Sequence, residues 1–184
     1  MKQYCTTILA LFFLIANGFA QTMPIDFSDG ADSFTAFDGS GFSFNTDPTL
    51  SSNQVGQFFN DGSNASQGFF LNFSDPIDLD INQEIALDFY SFDPNNHNIL
   101  LVLENGVNPD VEVRLSFGVP SPADWTSLVF DFSNAEYSAD GTPVSATGTY
   151  SRMRLFVDEG VTTPGTYLID NISDGSIPPD PNEL

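Results

Sequence analysis

The sequence predicts an all-β domain, a two-sheet antiparallel β-sandwich of jelly-roll topology. Three observations predict it. Apolar residues alternate with polar ones in short runs, the runs are separated by Asp-Gly, Asn-Gly and Asp-Pro pairs, and no window sustains a helical period. Many short antiparallel strands with frequent turns describe a sandwich, and for an exported chain a jelly roll.

The elements follow in order. Lys2, the apolar run 8–16 and the small residues Gly18 and Ala20 predict a secretory signal peptide over 1–20, cleaved after Ala20. That run is far short of the ~20 residues of a membrane span. A single β-sandwich domain is expected over 21–175, with strands at 25–29, 42–45, 54–60, 68–73, 84–92, 99–104, 111–117, 126–132, 152–158 and 166–172. Asn105-Gly106 supplies the positive φ values of a tight reversal, so the strands on either side should form a hairpin whose loop extends to Pro109. Asp29-Gly30, Asp38-Gly39, Asp61-Gly62, Asp140-Gly141 and Asp174-Gly175 mark further turns. The end of the chain, 176–184, reads as a proline-rich linker or tail.

Phenylalanine builds the core. The chain has 19, three of them in the leader, and pairs such as Phe42 with Phe44 and Phe130 with Phe132 alternate cleanly. Each buried ring contributes about 1.5 to 3 kcal/mol, which offsets chain entropy without cross-links. Cross-links are excluded behind the leader, because Cys5 is the one cysteine.

Charge narrows the partners. With Lys2 removed, the formal charge of −21 becomes −22, and Arg114, Arg152 and Arg154 stand against 25 acidic residues. Nucleic acid and anionic lipid bind through clustered Lys and Arg, which this chain lacks. The acid excess itself reads mainly as a solvated, soluble surface.

Composition narrows the chemistry too. A cysteine nucleophile is impossible, and a serine triad would have to use His97, within the string DPNNHN, without a Gly-x-Ser-x-Gly elbow. Zinc lacks ligands. Paired carboxylates for glycoside hydrolysis fail on context, since Asp78 and Asp80 lie in a turn-like stretch and Asp110 follows Pro109 beside Glu112. Calcium suits an exported chain rich in hard oxygen donors, although the oxygen-rich strings DLDIN, NDGSN and DPNNHN also read as turn formers.

Several strings in order resemble a family of bacterial carbohydrate-binding modules with a β-jelly-roll fold, found with secreted polysaccharide-degrading enzymes and surface glycan-binding proteins. They are IDFSDG from Ile25, FDGSGFSFNTDPT from Phe37, VGQFFNDG from Val55, QGFFLNFSDPIDL from Gln67, ILLVLEN from Ile99, WTSLVFDFSN from Trp125, MRLFVDEG from Met153 and TYLIDNI from Thr166. The resemblance implies a structural calcium between the first and last strands, at Asp26 and Asp170. The other reading of Asp170 is a carboxylate that orders a turn.

Sugar recognition combines an aromatic face with polar groups for the hydroxyls. Trp125 and Tyr90 are the aromatic candidates. Arg114, which shares a strand face with Glu112 and Ser116, and Arg152 with Arg154 are candidate hydroxyl ligands, while ion pairing explains the arginines as well. His97 would edge a groove from its loop.

The expectation is a secreted or cell-surface, non-catalytic module that binds a neutral polysaccharide such as a β-glucan, beside an attached or associated glycan-degrading enzyme. A structural or adhesive spacer without a sugar site is the alternative, and it would have Trp125 and Tyr90 buried. A small polysaccharide hydrolase or lyase is the third.

Overall fold

The computed structural model describes residues 21–28, 30–118 and 123–176. The expected signal peptide at 1–20 and residues 177–184 of the expected tail lie outside them. The strands among the described residues are β1 (Thr35–Phe37), β2 (Ser40–Thr46), β3 (Gln54–Asn60), β4 (Gly68–Asp78), β5 (Glu84–Ser91) and β6 (Asn96–Gly106). They continue as β7 (Val111–Gly118), β8 (Trp125–Asp131), β9 (Ala135–Tyr137), β10 (Pro143–Val144), β11 (Thr149–Val157) and β12 (Gly165–Ser173). A single 3-10 turn, Phe132–Asn134, separates β8 from β9.

These strands form two antiparallel sheets, a β-sandwich. One has seven strands in the order β1-β4-β11-β6-β7-β9-β10, and the other has five in the order β2-β3-β12-β5-β8. Alternation decides what each strand buries. Phe69, Leu71 and Phe73 of β4, Ile99, Leu101 and Leu103 of β6, and Met153, Leu155 and Val157 of β11 face Ile85, Leu87 and Phe89 of β5 and Tyr167 and Ile169 of β12. The residues between them form the two outer faces.

The Asn105-Gly106 reversal is present, with Asn105 at φ 58° and β6 paired antiparallel with β7. The expected strand 25–29 is not. Ile25 makes one bridge to Ile172, with backbone bonds of 2.8 and 2.9 Å, and Phe27 then turns at φ 57°. The Asp32 carboxylate accepts from the backbone N–H groups of Asp26 and Phe27 and holds this turn. Ile25 and Phe27 are both fully buried in the core at this turn.

Phe27 joins Phe34, Phe42, Phe44 and Phe58 in a network of tilted and edge-on rings with centroids 5.0 to 6.4 Å apart. Gly56 makes room for it, since a Cβ there would lie 2.7 Å from Phe27 and 2.8 Å from Phe58. The short strands β1, β9 and β10 were absent from the expected set. They are edge pieces of two or three residues, too short to show a period. At the far end of β4, Pro76 coincides with a register shift against β11 between Tyr150 and Arg152, since proline cannot donate to the ladder.

Candidate functional site

All three arginines of the described residues lie on the outer face of the seven-stranded sheet. Arg152 and Arg154 alternate with the core residues Met153 and Leu155 on β11, and Arg114 alternates with Val113 and Leu115 on β7. Register fixes their neighbours. Arg152 is opposite Asn72 of β4 and Glu104 of β6, and Arg154 is opposite Phe70 and Val102. On β7, Arg114 is opposite Leu100.

Two of these arginines lie over aromatic rings. The Arg152 guanidinium carbon is 4.9 Å from the Phe70 centroid and that of Arg154 is 5.4 Å from Phe156. Phe37 of β1 meets Phe156 edge-on at 5.7 Å, and both rings fold over Gly68, where a Cβ would come within 2.8 Å of each.

One carboxylate serves both guanidinium groups. Glu104 lies 2.6 Å from Arg154 and 3.9 Å from Arg152, while Arg152 Nε donates to Asn72 at 2.8 Å. Arg114 pairs separately with Glu159 at 2.7 Å. Two buried polar atoms of this face, Nε of Arg154 and Oδ1 of Asn98, have no hydrogen-bond partner among the described residues. Unmet buried polar groups are uncommon and mark places where water or a ligand completes the bonding.

Tyr90 and Trp125 lie on the opposite side of the molecule, on the outer face of the five-stranded sheet. They are register partners with ring centroids 5.4 Å apart. Tyr90 is only 3% exposed, covered by Trp125 and by Phe92, whose centroid is 5.1 Å away. Trp125 is half-buried, and its indole N–H donates to Asp47 at 3.1 Å. Burial opposes the charge on Asp47, but bonds from Thr49, Trp125 and Asn53 outweigh it and hold its pKa at about 2.

His97 does not edge a groove from a loop. It is the second residue of β6, points inward and is 3% exposed. Its Nδ1 is 2.9 Å from the Asp158 carboxylate and its Nε2 is 2.9 Å from Ser91 Oγ. An ionised carboxylate only accepts, so Nδ1 carries the proton in this pair. The Asp158 carboxylate also accepts from the Asn98 backbone N–H and the Tyr167 hydroxyl.

Ser91, His97 and Asp158 thus repeat the hydrogen-bond order of acyl hydrolases. Ser91 is 1% exposed, however, and its hydroxyl also bonds to the Asp93 carbonyl. The group ties strand ends together inside the sandwich and presents no nucleophile to solvent. Asp158 is pulled two ways. Burial raises its pKa, and the bonds from His97, Asn98 and Tyr167 prevail to lower it. Burial, reinforced by Asp158, pushes the Tyr167 hydroxyl up.

Asp170 is 3% exposed at a bulge of β12, where Asn171 takes φ 52°. It accepts from Asn53 Nδ2 and the Asn171 N–H, both at 2.9 Å. Burial raises its pKa against these bonds, and the negative charges of Asp26 and Asp88 add to the rise. Asp26 is exposed and accepts from the Ser28 backbone and hydroxyl.

A buried carboxylate beside two others is chemically suited to a hard cation. No group of three or more His, Cys, Asp or Glu side chains is arranged to hold a metal among the described residues, so a cation at Asp26 and Asp170 would also draw on backbone oxygens. In the three oxygen-rich strings, Asp61, Asp78 and Asp93 each accept from the backbone N–H two residues on, as turn formers do.

Residues not singled out from sequence complete the arginine face. They are Phe37, Phe70, Phe156, Asn72 and Glu104. Their parity within each strand was available, since Phe70 and Asn72 alternate with core residues as Arg152 and Arg154 do. The adjacency of β4, β11 and β6 was not.

Searches of protein-family models and of curated proteins find no match for this chain. Solved structures do resemble it. An exo-β-agarase superposes with a TM-score of 0.62 at 13% identity, over 86% of this chain and 26% of that one, so the chain spans about a quarter of the enzyme. The family 11 carbohydrate-binding module from Clostridium thermocellum, in complex with a β-1,3-1,4-mixed-linked tetrasaccharide, superposes with a TM-score of 0.52 at 16% identity, covering 76% of this chain and 85% of that one. The CBM22-1 xylan-binding domain of Paenibacillus barcinonensis Xyn10C gives 0.51 at 16%, covering 81% and 89%. The chain has the β-sandwich fold of carbohydrate-binding modules.

Proposed function

We propose that this chain is a secreted, non-catalytic carbohydrate-binding module that holds a neutral polysaccharide, such as a β-glucan, on the outer face of the seven-stranded sheet. One observation carries the reading. Two guanidinium groups stacked on rings share one carboxylate, and buried polar atoms of the same face lack partners. Arg152, Arg154, Asn72 and Glu104 would pair with sugar hydroxyls, and Phe37 and Phe70 would receive the apolar side of the rings.

The structural neighbours support the class. One module was seen with a mixed-linked tetrasaccharide and another is a xylan-binding domain. An attached glycan-degrading enzyme is the partner this reading expects, in line with the similarity to part of an agarase chain. The signal peptide expected from the sequence at 1–20 is the basis for secretion in this reading. A structural calcium held by Asp26 and Asp170 would offset the repulsion that Asp26 and Asp88 exert on the buried Asp170.

Affinity electrophoresis through gels containing laminarin, xylan, mannan or alginate tests the function. Retardation by a neutral polysaccharide, weakened in the Arg152→Ala, Arg154→Ala variant, is the expected result. A bond from a charged donor contributes about 1.5 to 3 kcal/mol, so the loss should be roughly tenfold or more. Unretarded migration in every gel refutes the reading and favours a structural spacer, to which the burial of Tyr90 already lends support.

A further inference from the structure

The five-stranded sheet carries its own aromatic strip, remote from the arginines. Register sets Ser43, Gln57, Leu168, Tyr90 and Trp125 in one row across all five strands. The next row holds Gly41, Phe59 and Thr166, and Phe92 follows directly after β5 on the other side of Thr166.

The large side chains of this strip are displayed and held. Phe59 is 41% and Phe92 52% exposed. The Phe59 ring lies across Gly41, where it would be the nearest contact of a Cβ, at 3.6 Å. Trp125 and Phe92 rest on the buried Tyr90 ring, and the Trp125 indole is fixed by Asp47, itself bonded to Thr49 and Asn53. Phe92 and Trp125 share the Tyr90 ring beneath them and Phe59 stands across Thr166 from Phe92, so the exposed rings are spaced along one line, and rings held in place before binding lose little entropy.

We propose that this strip is a second glycan-binding surface, distinct from the arginine face, that takes a single neutral sugar chain lying across the strands over Phe59, Phe92 and Trp125. Shape supports one extended chain. A row of carboxylates and hydroxyls, with Asp170, Asp88 and Ser127 in register, bounds the strip two residues along the strands, and β3 ends at Asn60 on the other side. The strip of rings and intervening polar side chains is therefore roughly 7 Å wide and about 19 Å long, well below the ~800 Å² that each partner of a stable protein interface contributes.

Charge supports a neutral ligand. No cation lies on this face among the described residues, and Asp88 and Asp124 flank the rings. Thr166 and Gln57 offer hydroxyl partners between the aromatic positions.

Calorimetric titration of the protein with cellohexaose and with laminarihexaose tests the proposal. Two oligosaccharides per protein are expected. Phe59→Ala with Phe92→Ala should leave one site in a protein that still unfolds cooperatively, and Phe59→Tyr with Phe92→Tyr should keep two. The Arg152→Ala, Arg154→Ala variant should retain the strip, with an affinity that Phe59→Ala and Phe92→Ala then weaken roughly tenfold or more. A single site abolished by the arginine variant and untouched by the phenylalanine variant overturns the second surface and leaves the first. Binding that survives the arginine variant but not the phenylalanine variant overturns the first and leaves the second. Absence of binding to both hexaoses overturns the proposal, as does unchanged sugar binding with lost self-association in the phenylalanine variant, which makes the strip a protein interface.

Discussion

Replacing Asp158 by Ala should destabilise the domain by about 3 kcal/mol. The figure follows from the three donors that this carboxylate satisfies: His97 Nδ1 at 2.9 Å, the Asn98 N–H at 2.9 Å and the Tyr167 hydroxyl at 3.1 Å. His97 and Tyr167 are buried, and each donor left unmet costs about 1 to 3 kcal/mol. Water reaching the vacated position recovers part of this, because the Asp158 side chain is 22% exposed. Trp125 is the only tryptophan, so its fluorescence reports urea unfolding without a label. With a denaturant slope of about 2 kcal/mol/M, the midpoint should fall by about 1.5 M.

The pH dependence gives a second readout of the same variant. The folded pKa of Asp158 lies below its unfolded value, so its stabilisation is fully present above about pH 4 and is lost as pH falls further, through the folded pKa. The gap between wild type and variant should narrow at acid pH. A midpoint shift under about 0.5 M at pH 7, or a gap that stays constant to pH 2, refutes the account of the His97 group. Asp93→Ala is the control, since its more exposed carboxylate stands 3.4 Å from the same ring and should cost under about 1 kcal/mol.

Gly68→Ala places a methyl group within 2.8 Å of Phe37 and Phe156, so it should cost about 1 to 3 kcal/mol in urea unfolding and weaken polysaccharide retardation by shifting both rings. Chelator should lower the melting temperature of the wild type and leave that of Asp170→Ala unmoved, and equal wild-type melting with and without chelator removes the calcium proposal. Asp47→Ala should cost about 1 kcal/mol or more at pH 7. Its folded pKa of about 2 lies below the ordinary carboxylate value of 3.8, so that contribution should persist down to about pH 4 and disappear toward pH 2, which acid-induced loss of Trp125 fluorescence would follow.

Much of the fold was legible in the sequence because strand character and facing are local. The runs through Phe42 and Phe44 and through Phe130 and Phe132 alternate visibly, and the Asn105-Gly106 reversal needs only the conformational preference of two residues. The segment around Ile25 was misread for the same reason. Its apolar spacing matches a strand, but a long-range bond to Ile172 and the Asp32 carboxylate turn it inward instead. His97 stands among turn-forming residues, and nothing near it in the chain announces Asp158, 61 positions away.

The candidate site divides along the same line. The sequence by itself determined that this is an all-β chain with a phenylalanine core, that its acid excess disfavours polyanions, and that each arginine shares a strand face with polar rather than core residues. All of that follows from side-chain chemistry and the two-residue period of a strand. Only the tertiary structure decided that the three arginines of β7 and β11 share one face, Arg152 over Phe70 and Arg154 over Phe156, while Tyr90 and Trp125 lie on the other. Which strands adjoin depends on packing between residues far apart in the chain, so one set of alternating side chains became two opposed surfaces.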